Sequence, residues 1–255
     1  MNLLFIGDVV GQSGCDFLES RMYKLKREYD IDVTVVNGEN SAQGNGITPQ
    51  SYRQLLNMGA DVVTTGNHSF RRREAEELYD TNEQLLRPAN YPEGVMGHGV
   101  TYIDMCPYKI AVVNLIGTMY MEAVENPFNY VDKLLESIDT PNIIVDFHAE
   151  ATSEKKAMGF YLQKRCTAVL GTHTHVQTAD EMILCGHTAY ITDVGMTGPE
   201  LSVLGVDSDI VINKFKYRTP VRFSESTNDC FINGVVVKFD EKSGKATNIQ
   251  RVIKR

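Results

Sequence analysis

His173 and His175, separated by one residue in Gly171-Thr172-His173-Thr174-His175, are the side chains best suited to chemistry in this sequence. They follow Ala168-Val169-Leu170, an apolar run that predicts a buried strand. Both imidazoles therefore leave a strand's carboxyl end together, where an open α/β sheet binds its ligands. Side chains on a regular strand alternate faces. The two rings converge only where the chain is already turning, or else they serve two neighbouring metal ions. Other strand ends carry donors too: Asp8, the pair Glu39 and Asn40, Asn67 beside His68, and His148. Each has an ordinary structural use. Asp8 can cap a helix, Glu39 and Asn40 can hold turns, Asn67 can take a left-handed turn position, and His148 can sit in a core. Gathered at five strand ends, these seven oxygen and nitrogen donors are jointly explained by a pair of metal ions.

The donors need elements to carry them. Leu3-Leu4-Phe5-Ile6 predicts a buried strand, followed by a loop over Gly7–Gly11 and a helix from about Gly14 to Tyr29. Val33–Val36 predicts a second strand that ends in Asn37-Gly38-Glu39-Asn40 and a glycine-rich loop through Gly46. Thr48-Pro49 opens a helix that Gly59 closes, and Asp61–Thr65 is the third strand, delivering Gly66-Asn67-His68. After a Pro/Gly loop from Tyr91 to Gly99, Val100–Asp104 and Ile110–Leu115 read as paired strands around Cys106-Pro107. Gly117–Pro127 reads as a loop near the site. Asn142–Phe147 delivers His148 and precedes a helix carrying Lys155, Lys156 and Tyr161. Short strands are expected around Met182–Leu184 and Ala189–Thr192, and a final pair over Gly234–Asp240 and Thr247–Ile253. Thr197–Asp229 has weak periodicity, which predicts a long functional or subunit-contact loop.

Composition narrows the class. With 255 residues, 42% of them hydrophobic, the chain can bury a sizeable core, and a single α/β domain over 1–255 is expected. No apolar stretch approaches the roughly 20 residues of a membrane span, and the start lacks a basic leader and cleavage site, so a soluble cytoplasmic protein is expected. A formal charge of −8 argues against broad capture of nucleic acid, although a local cation cluster can hold a phosphate. The five cysteines are scattered and never form a Cys-x-x-Cys pair, which speaks against a disulfide framework or a thiolate zinc site. Arg71-Arg72-Arg73 could steer phosphate, yet these arginines, like Lys155 and Lys156, read more simply as solvated surface. Gly38, Gly44 and Gly46 lack the spacing and following Lys of a phosphate-binding loop, and let the backbone bend instead. Ser41 and Ser69 lie in no Gly-x-Ser-x-Gly elbow, which disfavours serine hydrolase chemistry.

The motifs in order resemble the dinuclear metallophosphoesterase superfamily, and within it the YmdB-type phosphodiesterases. The likeness is carried by Phe5–Gly11, Asn37–Ala42, Gly66–His68, Asp146–Lys155, Gly171–Asp180 and Thr192–Pro199, which run nearly end to end. It implies an α/β sandwich of mixed sheets flanked by helices. By resemblance, Asp8, Glu39, Asn40 and His175 would hold one ion and Glu39, Asn67, His148 and His173 the other, with Glu39 bridging and His68 unligated. The superfamily's usual first motif is Asp-x-His and its usual bridging acid is Asp. Here Val10 takes the His position, Glu39 replaces the Asp, and Asn40 supplies a donor. Relatives commonly carry Arg after the glycine matching Gly117, where this chain has Thr118, so that phosphate contact is missing or comes from elsewhere.

Diester hydrolysis needs an oxygen nucleophile, compensation of charge on the nonbridging oxygens, and stabilisation of the leaving alkoxide. Two divalent ions about 3.5–4 Å apart supply the first two. With only Asp8 and Glu39 anionic among the donors, two such ions leave a formal surplus of two positive charges. Hydroxide and a singly charged diester neutralise it better than a dianionic monoester would, subject to nearby acids such as Asp146 and Asp193. His68 is the expected general acid, with orientation of substrate or water as its alternative role. The resemblance points to 2',3'-cyclic nucleotides hydrolysed to 3'-nucleotides, to iron or manganese with zinc open, and to a homo-oligomer without membrane or stable nucleic-acid partners. The alternatives are a broad phosphomonoesterase on the same metals, and a metal-site ligand sensor in RNA-related regulation.

Overall fold

The computed structural model describes residues 1–255. Its amino-terminal half runs β1 (Asn2–Ile6), β2 (Asp8–Val9), α1 (Gly11–Glu28), β3 (Val33–Asn37), α2 (Pro49–Asn57), β4 (Val62–Thr64) and α3 (Glu76–Thr81). The middle contains β5 (Val100–Asp104), β6 (Lys109–Ile116), α4 (Pro127–Glu136), β7 (Ile143–His148), α5 (Thr152–Leu162) and β8 (Ala168–Thr172). The chain ends with β9 (Met182–Leu184), β10 (Thr188–Ile191), β11 (Met196–Pro199), α6 (Ser208–Tyr217), β12 (Cys230–Asp240) and β13 (Lys245–Lys254).

Two mixed sheets result. One has seven strands in the order β2-β11-β12-β1-β3-β4, with β13 paired to β12. The other has six, in the order β5-β6-β7-β8-β10-β9. β1, β3 and β4 run parallel, as do β6, β7, β8 and β10, so their carboxyl ends lie together within each sheet.

Alternation along the strands builds the layers. Leu3, Phe5, Val33 and Val35 of the first sheet meet Ile110, Val112, Ile144, Leu170 and Ile191 of the second in a shared core. Leu4, Ile6 and Val36 face the other way, onto Leu18, Met22 and Leu25 of α1 and Tyr52 and Leu55 of α2. Val113, Leu115, Val145 and Phe147 likewise meet Val131 of α4 and Met158 and Leu162 of α5. The architecture is an α/β sandwich, helices outside and sheets within. Each such Leu, Ile or Phe contributes ~1.5–3 kcal/mol when fully buried.

One expected element differs. Thr197–Asp229 is not a continuous loop: it contains the end of β11 and the helix α6, capped by Asp207, whose carboxylate accepts the amides of Asp209 and Ile210. Only Val211 of α6 is buried, so burial imposed no apolar period that the sequence could display.

Candidate metal centre

The centre is built where the same strand faces that form the shared core run out of apolar residues. Along β3, β4, β7 and β8 the inward positions end in Asn37, Thr64, Asp146 with His148, and Thr172, all buried. Asp146 ties the two sheets together there. Its carboxylate accepts from Asn37 Nδ2 at 3.0 Å and Thr64 Oγ1 at 2.5 Å on one side, and from Thr172 Oγ1 at 2.7 Å on the other. Burial pushes this carboxyl up to about 6, against the pull of His148 and its hydrogen bonds. Because the Thr172 hydroxyl donates to Asp146, its lone pair accepts His148 Nδ1–H at 2.8 Å. That leaves His148 Nε2 to face the centre.

Around His148 Nε2 stand Asn67 Oδ1 at 3.0 Å, His173 Nδ1 at 3.0 Å and Glu39 Oε1 at 3.2 Å. The ligand atoms of Glu39, His148 and His173 all lie within 4.8 Å of one another. Beside them Asn40 Nδ2 lies 3.1 Å from Glu39 Oε1, 3.4 Å from Asp8 Oδ1 and 3.2 Å from His175 Nε2, and His175 Nε2 is 3.6 Å from Asp8. The seven expected donors are thus brought together in two groups, and Glu39 belongs to both.

The two histidines reach opposite groups because β8 has already ended. His173 and His175 take positive φ values of 105° and 65°, the left-handed region that non-glycine residues rarely enter. Thr174, between them, is held by Asp193, whose Oδ2 accepts its amide at 3.0 Å and its hydroxyl at 2.8 Å. The same oxygen pairs with Lys155 Nζ at 2.5 Å, and both charged side chains are at most 1% exposed. Lys155 is therefore not the solvated surface residue its sequence neighbourhood suggested. Its position on α5, across from the turn of residues 173–175, makes it part of the scaffold. Lys156, next to it, is 45% exposed, as expected.

His68 touches the shared carboxylate without entering either group. Its Nδ1 lies 3.1 Å from both Glu39 Oε1 and Asn40 Oδ1, and its amide donates to Glu39 Oε2 at 3.1 Å. Thr118 is turned onto Glu154, to which its amide and hydroxyl donate at 2.9 and 3.0 Å.

The electrostatics suit cations. Burial works against the charge of Glu39, yet His148 and His68 outweigh it and hold this carboxyl well below its usual range. Asp8 is likewise lowered, burial being overcome by His175. His148 is raised to about 9, since Glu39 outweighs burial, and His175 is raised against burial by Asp8. His173 is lowered, first by burial and then by His148 beside it. The donor chemistry fits metal ions of borderline hardness: two carboxylates, three imidazoles and two amides, with no thiolate. Asn40 fits once its amide turns over, because Nδ2 now faces the other donors. Gly66 leaves the floor bare, where a Cβ would run into the His148 ring and lie 2.5 Å from Glu39 Oε2.

Sequence reasoning missed Glu150. Its carboxylate lies 3.0 Å from His173 Nε2, the nitrogen turned away from the centre, and so fixes that ring with Nδ1 inward. Its place two residues after His148 was the available signal, but nothing local ties it to a histidine 23 positions on.

With this geometry in place, the likeness to known proteins is specific. The family model described as YmdB-like protein matches residues 4–252. A 2',3'-cyclic-nucleotide 2'-phosphodiesterase of Bacillus subtilis (strain 168) is 46% identical over 99% of this chain and 97% of its own. The crystal structure of a Mycoplasma pneumoniae phosphatase superposes with a TM-score of 0.95 at 32% identity, covering 99% of this chain and 92% of that one. A hypothetical protein of Thermus thermophilus gives 0.94 at 35% identity, over 99% and 98% of the two chains. Folded as a metallophosphoesterase-type sandwich and matched almost from end to end, the chain belongs to the YmdB-like family.

Proposed function

We propose that this hydrolase is a dinuclear, metal-dependent phosphodiesterase that converts 2',3'-cyclic nucleotides to 3'-nucleotides. The observation that carries the reading is the meeting of seven donors in two groups that share Glu39. The name of the Bacillus subtilis relative supports the substrate class. Asp8, Glu39, Asn40 and His175 would hold one ion, and Glu39, Asn67, His148 and His173 the other. Bound there, the pair supplies Lewis acidity, polarising the phosphate and lowering the pKa of water. The family likeness points to iron or manganese, and donors of this kind are equally compatible with zinc.

The chain's own groups do the rest. Glu150 and Thr172 fix the rings of His173 and His148. Glu39 accepts from His68 at Nδ1, leaving Nε2 to deliver a proton to the 2' oxygen as the phosphorus–oxygen bond breaks. Residues 117–119 are held by Glu154, so the phosphate contact that relatives draw from an arginine at the position of Thr118 is missing or comes from another wall of the site. A homo-oligomer fits the exposed Ile212, Phe215 and Tyr217 of α6, which want a covering surface. A cytoplasmic site of action is part of the same reading; no helix of the chain is long and apolar enough to cross a membrane.

The decisive test pairs elemental analysis of the purified protein with hydrolysis of 2',3'-cyclic nucleotides beside nucleoside monophosphates. Two metal equivalents and turnover of the cyclic diester are expected. Turnover of monoesters alone would replace this reading by a phosphomonoesterase, and binding without turnover by a ligand sensor.

A further inference from the structure

The centre opens on a cavity of about 730 Å³, within the roughly 300–1,000 Å³ of sites that enclose a drug-sized ligand. Asn40 and His175 connect it to the metal centre, and its walls reach the loop at Gly44 on one side and Arg222 with Phe223 on the other. Three arginines, Arg71, Arg72 and Arg222, line it against a single acid, Glu225, in a chain whose formal charge is −8. Glu225 packs onto Gly11 at the start of α1, so closely that a Cβ on Gly11 would overlap its carboxylate. Arg72 is committed to the loop, donating to the carbonyls of Asn45, at 2.9 Å, and Gln43. Gly46, at φ 85°, lets both neighbours lie on that loop: a Cβ there would come 3.1 Å from Arg71 Cβ and 2.8 Å from Arg72 Cγ. The ion-paired arginines of the chain are Arg165, Arg251 and Arg255. Arg71 and Arg222 are exposed, and neither guanidinium has a partner.

A ribose held by its 2',3' edge at the metal centre points its base and its 5' oxygen away from that edge, and the cavity that Asn40 and His175 join to the centre offers room for them. A free cyclic mononucleotide would place nothing anionic before Arg71 and Arg222. We infer that the cavity takes the 3' end of an RNA chain terminated by a 2',3'-cyclic phosphate, with Arg222 and Arg71 binding the phosphate on the 5' oxygen of the terminal ribose. The planar guanidinium is suited to two phosphate oxygens at once. Phe223, 48% exposed and beside Arg222, offers an aromatic surface to a base, with Lys214 Nζ 4.4 Å from its ring centroid adding positive charge. Such contacts position the substrate without reading its sequence, as phosphate contacts do. The inference rests on the cyclic phosphodiesterase reading above and names the larger substrate that the site accommodates.

Three substrates test it on the metal-loaded protein: adenosine 2',3'-cyclic phosphate, its 5'-phosphorylated form, and an adenylyl dinucleotide ending in the cyclic phosphate. The two that carry a 5'-side phosphate should show kcat/KM higher by about tenfold, through KM, as one charge-assisted contact provides. The dinucleotide should exceed the 5'-phosphorylated mononucleotide. Arg222→Ala should abolish most of that advantage and Arg222→Lys should keep part of it. Calorimetric binding of the product dinucleotide bearing a 3'-phosphate should depend on Arg222 in the same way, and does not require turnover. Equal kcat/KM for the three substrates, or an advantage and a product affinity that survive Arg222→Ala, overturns the inference while leaving the phosphodiesterase reading intact. Failure to hydrolyse any of the three, with no effect of Arg222→Ala on product binding, removes both.

Discussion

His68 and His148 both touch Glu39, yet their ring nitrogens are used differently. His68 turns Nδ1 to Glu39 and Asn40 and keeps its ring 25% exposed, whereas His148 is wholly buried with Nε2 among three donors. His68→Ala should therefore lower turnover by about 10²–10⁴-fold, the range for loss of a general acid, while metal content measured by elemental analysis stays the same. Loss of an ion would make His68 a ligand instead. For His148 the raised value of about 9, set by Glu39 against burial, fixes a pH signature. In metal-free protein the pair stabilises the fold fully below the ordinary histidine value of 6.5, and its contribution is lost as pH rises through about 9. A metal ion takes the same electron pair as that proton, so metal affinity should rise over the same window. Manganese titrated into chelator-stripped protein at pH 7.5, in two buffers of different ionisation enthalpy, should show proton release. A buffer-independent heat would mean that His148 carries no proton to lose at that pH or is not a ligand.

At the scale of elements, the turn at residues 173–175 depends on α5 and on the segment before β11 more than on its own residues. Asp193 holds Thr174 with the same oxygen that pairs with Lys155, and the pair lies out of water. Lys155→Met leaves an unpaired buried carboxylate, a change that costs about 3–5 kcal/mol. A lower melting temperature and lower occupancy by metal should appear together, because the strained histidines lose their anchor. An unchanged melt would mean that the ammonium is solvated in solution. The same elements show what a sequence can display. β1, β3, β4, β6, β7 and β8 were legible as apolar or β-branched runs because both their faces are covered, and the seven donors were legible because they lie at the ends of such runs. α4 was not expected, although Asn126-Pro127, a cap followed by proline at the first helical position, and the apolar face of Val131, Leu134 and Leu135 both signal it. α6 had its Asp207 cap but no buried face to create a period. β2 and β11 pair through Asp8 with Met196 and Val9 with Thr197, a register that no local pattern encodes. Glu150, Thr172 and Lys155 act through partners in other elements, so their roles emerge only from packing.

Across the whole molecule the centre spans a seam. Asp8, Glu39, Asn40 and Asn67 come from strand ends of the seven-stranded sheet, while His148, His173 and His175 come from the six-stranded one. Below them Asp146 of the second sheet receives Asn37 and Thr64 of the first, so a polar layer caps the shared apolar core at its open end. Ions held by donors from both sheets would bind the folded state and not the unfolded chain, which lacks the convergence. At a free metal concentration 100 times the dissociation constant such binding adds about 2.7 kcal/mol. For a chain of 255 residues, with about 2–4 °C per kcal/mol, chelation should lower the melting temperature by roughly 5–11 °C. Glu39→Gln weakens the one donor common to both groups, and should largely abolish the difference between loaded and chelated protein. His148→Ala removes a donor from one group only and should retain part of it. Amide exchange should slow on metal addition at the carboxyl ends of β3 and β4 as well as β7 and β8. Protection confined to β7 and β8 would mean that the ions are held by the six-stranded sheet alone and that Glu39 does not join the two groups.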